Sequence, residues 1–433
     1  MLTGSISNKS IKIITQEDDT LIMNRALKLF FFLILLLQSA CNFGAAELQK
    51  DKINPYSISL GKFKTYEQAL KFKMTLNDSV RAHLRLESVG KEHYKLFYGK
   101  YPSAYSAGEK GFDLFKKTLV KDYEINRNGQ RVLDEFANVP FIAYYLGKPA
   151  VFNYNLKTKS TEILWSRSNR RVLSLNIAHN AESVFIITAE SMVNHGNVSA
   201  IQNAAVVILH RNEDETEELM QIGNVNQVYT YWDQPDTFRV NVTFPDSNNS
   251  RIIYQRIASW DSYGKKGSLT ERSFDLLLQG FPIKPKRKPE LLSPNGQYQI
   301  RAVHNNNRQY FYLKNFPDRS EILFTSSSGE VEDIRWSLDS RYIFIQTKTL
   351  LVKGKKADTL IRQQIIIYDT AAKKVIRILE GTGFQNLLVR GKLLFFDEHL
   401  NGASHITIVD LTNQSHYDSI DMPGGCVLNS LSD

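Results

Sequence analysis

The chain has 433 residues, 42% of them apolar and 23% charged, with a formal charge of +9. That length and balance exclude a disordered tail or a single small module, and leave room for more than one packed core. With only Cys41 and Cys426 no disulfide framework exists, and the basic balance favours anionic partners without requiring one.

The N-terminus sets the compartment. Residues 1–22 contain Gln16-Glu17-Asp18-Asp19, which suits no signal, so they read as an extension or a misassigned start. From Met23, Arg25 and Lys28 form a basic n-region and Leu29 to Leu37 an apolar run, too short to span a bilayer comfortably. Residues 23–46 thus read as an export signal. Cleavage after Gly44-Ala45-Ala46 would release a soluble protein. "LQSAC", ending at Cys41, resembles a bacterial lipobox, although Gln38 stands where an aliphatic residue is preferred. That reading implies a lipidated Cys41 and a membrane anchor. An uncleaved anchor is the third option.

From Tyr56 the pattern becomes structural. Ile58 and Leu60 alternate with Ser57 and Ser59, a strand. Thr65 and Gln68 form a helix-start signal, and Ala69, Phe72 and Leu76 make one apolar stripe. Leu84 and Leu86 alternate with His83, Arg85 and Glu87, a second strand. "HYKLFYGKY" repeats the first strand, with Leu96 and Tyr98 inward and Lys95 and Phe97 outward. Ser103 starts a second helix carrying Ala107, Leu114 and Phe115, and Asp122 to Ile125 is a fourth strand. The order is β-α-β-β-α-β, a ferredoxin-like split unit over 55–127.

Each half joins strand to helix through "LGKFKTYEQA" or "YGKYPSAYSA". Tyr56 to Ala69 and Tyr94 to Ala107 resemble the two halves of a SPOR domain. That resemblance, over about a sixth of the chain, implies binding of peptidoglycan glycan strands stripped of stem peptides. The sheet face away from the helices is then the expected binding surface, with Ser57, Ser59, His83, Arg85, Lys95 and Phe97. An exposed Phe97 ring would stack on a sugar while the polar groups bond hydroxyls and acetamides. Ser59 stands where the family commonly has Gln. The same order suits RNA-binding domains that stack bases on sheet aromatics, but the export signal argues against nucleic acid, and "KLFYGKY" lacks most of their third-strand signature.

"NRNGQ" reads as a turn or linker. From about Pro140 helical periodicity gives way to short apolar runs with turn signals, an all-β region over 140–433. "IIIYDTAAKKVIRI" and "ITIVDLTNQSHYDSI" repeat one strand–turn–strand unit, with Asp369 and Asp410 spaced as in propeller blades. "LLSPNGQYQIRAV" and "IRWSLDSRYIFIQT" carry a second marker, which resembles the repeats of TolB-type and related WD-like propellers. Blades are expected near 140–168, 170–223, 225–280, 289–328, 330–381 and 383–425. Val427 and Leu428 would return to the first blade and close the ring. The expected fold is therefore α+β plus all-β, with six blades; a seven-bladed ring stays open.

Nucleophile-elbow, zinc-protease and phosphate-loop motifs are missing. Glu398, His399 and His405 have the spacing of a blade hairpin rather than a metal site, and no metal or cofactor is expected. "FPIKPKRKPE", 281–290, reads as a solvated inter-blade loop, or else as a basic contact for an acidic surface. Trp165, Trp232, Trp260 and Trp336 read as blade packing. Two functions remain. One is a Gram-negative envelope binding protein, periplasmic or outer-membrane-anchored, with glycan on the small domain and a protein or ligand on the propeller. The alternative is a hydrolase or enzyme subunit with a motif-free site in the propeller channel.

Overall fold

The computed structural model describes residues 54–429 except 90–92, 179–181, 196–197, 213–214, 235, 247, 250, 280–290, 354–357, 382 and 401–402. The signal-like segment, Cys41 and the basic loop at 281–290 lie outside the described residues.

The small N-terminal unit runs β1 (Tyr56–Phe63), α1 (Tyr66–Thr75), β2 (Leu84–Ser88), β3 (Tyr94–Tyr101), α2 (Ala104–Lys116), β4 (Glu124–Arg127) and β5 (Gln130–Val132). Its sheet order is β2-β3-β1-β4-β5, with every pair antiparallel. Local chemistry starts both helices. Thr65 Oγ1 accepts from the Gln68 N–H at 3.2 Å, and Ser103 and Ser106 cap each other reciprocally. The Gly-Lys-aromatic joints have a steric cause. A Cβ on Gly61 would lie 2.8 Å from the Phe63 ring, and one on Gly99, where φ is +63°, 2.6 Å from the Tyr101 hydroxyl. The aromatic two residues on folds back across each glycine, which only a residue without a side chain permits. "NRNGQ" is a hairpin turn, not a linker. Asn128 and Gly129 both take positive φ, as a two-residue hairpin requires, and the chain enters β5.

Beyond the connector at 133–137 come six antiparallel sheets: 138–165, 171–225, 227–275, 298–327, 330–381 and 385–420. The first strands of neighbouring sheets meet, Arg171–Ile177 with Gln227–Gln234 and Glu330–Trp336 with Gln385–Arg390, which places them at the centre of a propeller. The ring is closed by the chain's far end. Cys426 pairs with Ala143 and Val427 with Ile142, so the C-terminal strand completes the first blade. Closure pairs the edge of Asn138–Tyr145 that would otherwise be free and joins the two ends of the ring.

The repeated markers are turn chemistry. Ser293 Oγ accepts from Tyr298 N at 2.9 Å, and Ser337 Oγ from Tyr342 N at 2.8 Å. Asp369 Oδ1 takes the N–H groups of Ala371 and Ala372, and Asp410 Oδ1 that of Thr412. Short polar side chains thus hold backbone that the ladder leaves unpaired. Trp165, Trp260 and Trp336 are buried between strands, and Trp232 packs edge-on against Phe185 at 5.7 Å.

One apolar core runs from the small unit into the first and last blades. It joins Ile58, Leu96, Phe112 and Ile125 to Phe136, Phe152, Phe395 and Leu428. Helix α2 lies between the sheet and the propeller. Its small residues Ala104, Ala107, Gly108 and Gly111 are buried. A Cβ on Gly108 would sit 2.8 Å from Phe136 Cβ, and one on Gly111 2.5 Å from the Tyr123 ring. The bulky side chains on the helix meet the connector and the propeller: Phe112 packs on Phe136 at 5.5 Å and on Tyr417 at 6.2 Å. Lys116 pairs with Asp410, Lys392 with Asp113 at 3.6 Å, and Lys157 with Asp122 at 2.6 Å.

Candidate functional site

Because α2 separates the sheet from the propeller, the other face of the sheet turns away from the propeller. Pairing brings most of the expected residues together there. Arg85 on β2 opposes Phe97 on β3, Phe97 opposes Ser59 on β1, and Ser59 opposes Glu124 on β4. In neighbouring rows Lys95 opposes Glu87 and Lys62, and Ser57 opposes Asn126.

Exposure departs from expectation. Phe97 is 2% exposed and Ser59 3%, so the ring is not an open stacking platform. Both lie on the two central strands, where cross-strand neighbours flank them on either side. The Lys95 side chain crosses β1 and reaches Asn126 Oδ1 at 3.1 Å and the Gly129 carbonyl at 3.4 Å. Along its path β1 raises Ser57 and Ser59 on this face, short enough to let it pass. The serines are floor rather than first contacts.

His83 is not on this face. It sits in the turn before β2, after the helical turn Asp78–Arg81, and its ring meets Tyr98 edge-on at 5.8 Å. Tyr98 belongs to the core under the helices. Arg85 lies at the rim, with Nη2 donating to the Gly99 carbonyl at 3.2 Å and Nη1 3.3 Å from Glu87. Two residues that alternation did not single out also belong here: Lys62, exposed opposite Lys95, and Asn126, buried beneath its ammonium. The result is a polar, cation-bearing face whose single aromatic is sealed in.

Buried charge concentrates at the joint between small unit and propeller. Arg390 Nη1 donates to the carbonyls of Glu135, Phe136 and Asn138 at 2.7, 3.2 and 3.1 Å. Burial, then the nearby Glu182 carboxylate, pushes the Glu135 carboxyl up, against the pull of Arg211. Tyr56 on β1 reaches Glu182 at 3.4 Å, so the second blade also holds the small unit. At the ring closure, Asp397 accepts from Leu428 N at 2.9 Å and from Asn386 Nδ2 at 2.6 Å, and burial pushes its carboxyl up to about 7. On the last blade Glu398 and His405 are cross-strand partners, Oε2 to Nε2 3.4 Å, with His399 beside Ser404. Among the described residues no group of three or more metal-ligating side chains converges.

No family model matches the chain, and no curated protein matches it in sequence. Similar solved structures exist. TolB from Acinetobacter baumannii is 10% identical, with a TM-score of 0.41 over 80% of this chain and 81% of that one. An oligogalacturonate lyase from Vibrio parahaemolyticus is 10% identical, with a TM-score of 0.37 over 63% of this chain and 86% of that one. An acylaminoacyl peptidase is 12% identical, with a TM-score of 0.27 over 45% and 32%. The propeller rests on this chain's own sheet order and closure.

Proposed function

We propose that the protein is a cell-envelope interaction scaffold. Its small unit, a SPOR-like domain of ferredoxin-like fold, binds peptidoglycan glycan strands, and its propeller carries a protein or ligand partner. One observation supports glycan binding above the rest: a polar face with Lys62, Arg85 and Lys95 is turned outward while α2, on the opposite face, is packed on the propeller. Because Phe97 is sealed, the ligand is held by hydrogen bonds and charge around the rim, not by ring stacking. Such binding weakens as salt rises. The signal-like residues 23–46 put the protein outside the cytoplasm, with Cys41 as lipid anchor; radiolabelled palmitate should mark the wild type and not Cys41→Ser.

The test is sedimentation of the full chain with intact and with amidase-treated sacculi. Greater recovery on the treated sacculi is expected, and Lys95→Ala combined with Arg85→Ala should lower it several-fold. Absence of binding to either preparation refutes the glycan reading. The proposal assigns no catalysis to the propeller, so sacculi incubated with the protein should release no new chromatographic products.

A further inference from the structure

A cleft of about 300 Å³ opens where α2 meets the last blade, at the lower end of the size range of small-molecule sites. Its apolar wall is Phe112 from α2, Phe136 from the connector and Leu393 from the blade, with the two rings 5.5 Å apart. The polar lining comes mainly from α2. Asp113 is engaged by Lys117 at 2.8 Å and by Lys392 at 3.6 Å, and Lys116 by Asp410. Glu109 and Lys110 also line the cleft, and neither makes a hydrogen bond or ion pair among the described residues. Glu109 is held against the turn at Gly391. A Cβ there would lie 2.6 Å from Glu109 Oε1, and φ is +51°, a conformation that favours glycine. Burial raises the Glu109 carboxyl, as does the field of Asp339, and Lys392 across the cleft offsets this only in part. An arriving cation would relieve that cost.

A carboxylate and an ammonium that make no hydrogen bond among the described residues, beside an aromatic wall, complement one chemistry. We propose that this cleft binds a small zwitterion with an apolar side chain, a free α-amino acid. Its ammonium sits on Glu109, its carboxylate on Lys110 and its side chain against Phe112 and Phe136. The site is separate from the sheet face, so it stands or falls independently of glycan binding.

Three probes of similar shape test it on the full chain by thermal shift and calorimetry: phenylalanine, phenethylamine without the carboxylate, and 3-phenylpropionate without the amine. At about 10 mM, phenylalanine should raise the melting temperature by about 2 °C or more and phenethylamine by less, with no rise from 3-phenylpropionate. Glu109→Gln should weaken both amines at least tenfold, about the loss of one charge-assisted contact. Lys110→Ala should weaken phenylalanine alone. No shift with phenylalanine, equal shifts in wild type and Glu109→Gln, or an equal effect of 3-phenylpropionate each overturn the proposal. The three-probe comparison on wild type decides the matter even where a variant fails to fold.

Discussion

Replacing Phe136 by alanine should do more than open a hole. Phe136 is 2% exposed and lies in the connector, with its ring 5.5 Å from Phe112 and 5.4 Å from Tyr105, both on α2. Deleting a buried phenylalanine costs about 3–5 kcal/mol. Here most of that loss falls on the contact between small unit and propeller. A cycle with Phe112→Ala should show coupling of about 0.5–1.5 kcal/mol, the worth of one aromatic pair. The chain carries its own probes. All four tryptophans, at 165, 232, 260 and 336, are in the propeller, whereas α1 and α2 are the longest described helices and both belong to the small unit. Tryptophan fluorescence therefore follows the propeller, and the 222 nm circular dichroism signal carries the small unit's helices. In urea the wild type should show coincident transitions by both probes. Phe136→Ala should shift the helix signal to lower urea, ahead of the fluorescence. Two separate transitions in the wild type, or a helix midpoint unmoved by the substitution, would refute the shared core.

Three further outcomes follow from single contacts. Asp397 has a folded pKa of about 7, raised by burial above the free-chain value of about 3.9, so its contribution is fully present below about pH 4 and is lost as pH rises through about 7. Asp397→Asn should remove that slope, and the stability difference from wild type, measured by urea melts across this range, should change in the variant's favour as pH rises; a pH-independent difference contradicts the assignment. Ser337→Ala leaves the buried Tyr342 N–H without its acceptor and should cost about 1–3 kcal/mol, while Ser320→Ala on an exposed turn should cost less than half as much in the same denaturation assay. Phe97→Ala should destabilise the small unit by about 3–5 kcal/mol, read from the helix signal; a fully stable variant with lost sacculus binding would restore the ring as a direct ligand contact.

How far the sequence reaches depends on the range of the interaction. The blade turns at Ser293, Ser337, Asp369 and Asp410 are visible in it because each side chain bonds backbone within five residues of itself. The face of each strand in the small unit is visible too, since alternation alone sends Leu96 and Ile58 one way and Phe97 and Ser59 the other. Alternation does not say what lies over a face. The burial of Phe97 goes with its central-strand position, and the same face is crossed by a lysine whose partners, Asn126 and Gly129, are 31 and 34 residues away. His83 departs for a local reason that a strand pattern misses, because it lies in the turn before β2 and not on the strand. The joint was not legible at all. Phe136 falls between the two regions read from the sequence, 55–127 and 140–433, and only the fold shows that Gly108 is small because Phe136 comes to it.

That joint sets what a scaffold of this shape can do. A flexible linker between a glycan-binding unit and a propeller would raise the local concentration of two partners without fixing their geometry. Here the connector at 133–137 contributes Phe136 to the core and the carbonyls of Glu135 and Phe136 to Arg390, while Lys116 and Lys392 tie the helix to the last blade. Turning the small unit would expose Phe112 and Phe136 together and strand buried charges, a cost of several kcal/mol that thermal motion does not meet. A polymer bound on the sheet face and a partner bound on the propeller would therefore be held at one distance and one orientation, as by a bracket rather than a tether. A ligand in the cleft at Glu109 would sit at the contact that maintains that geometry.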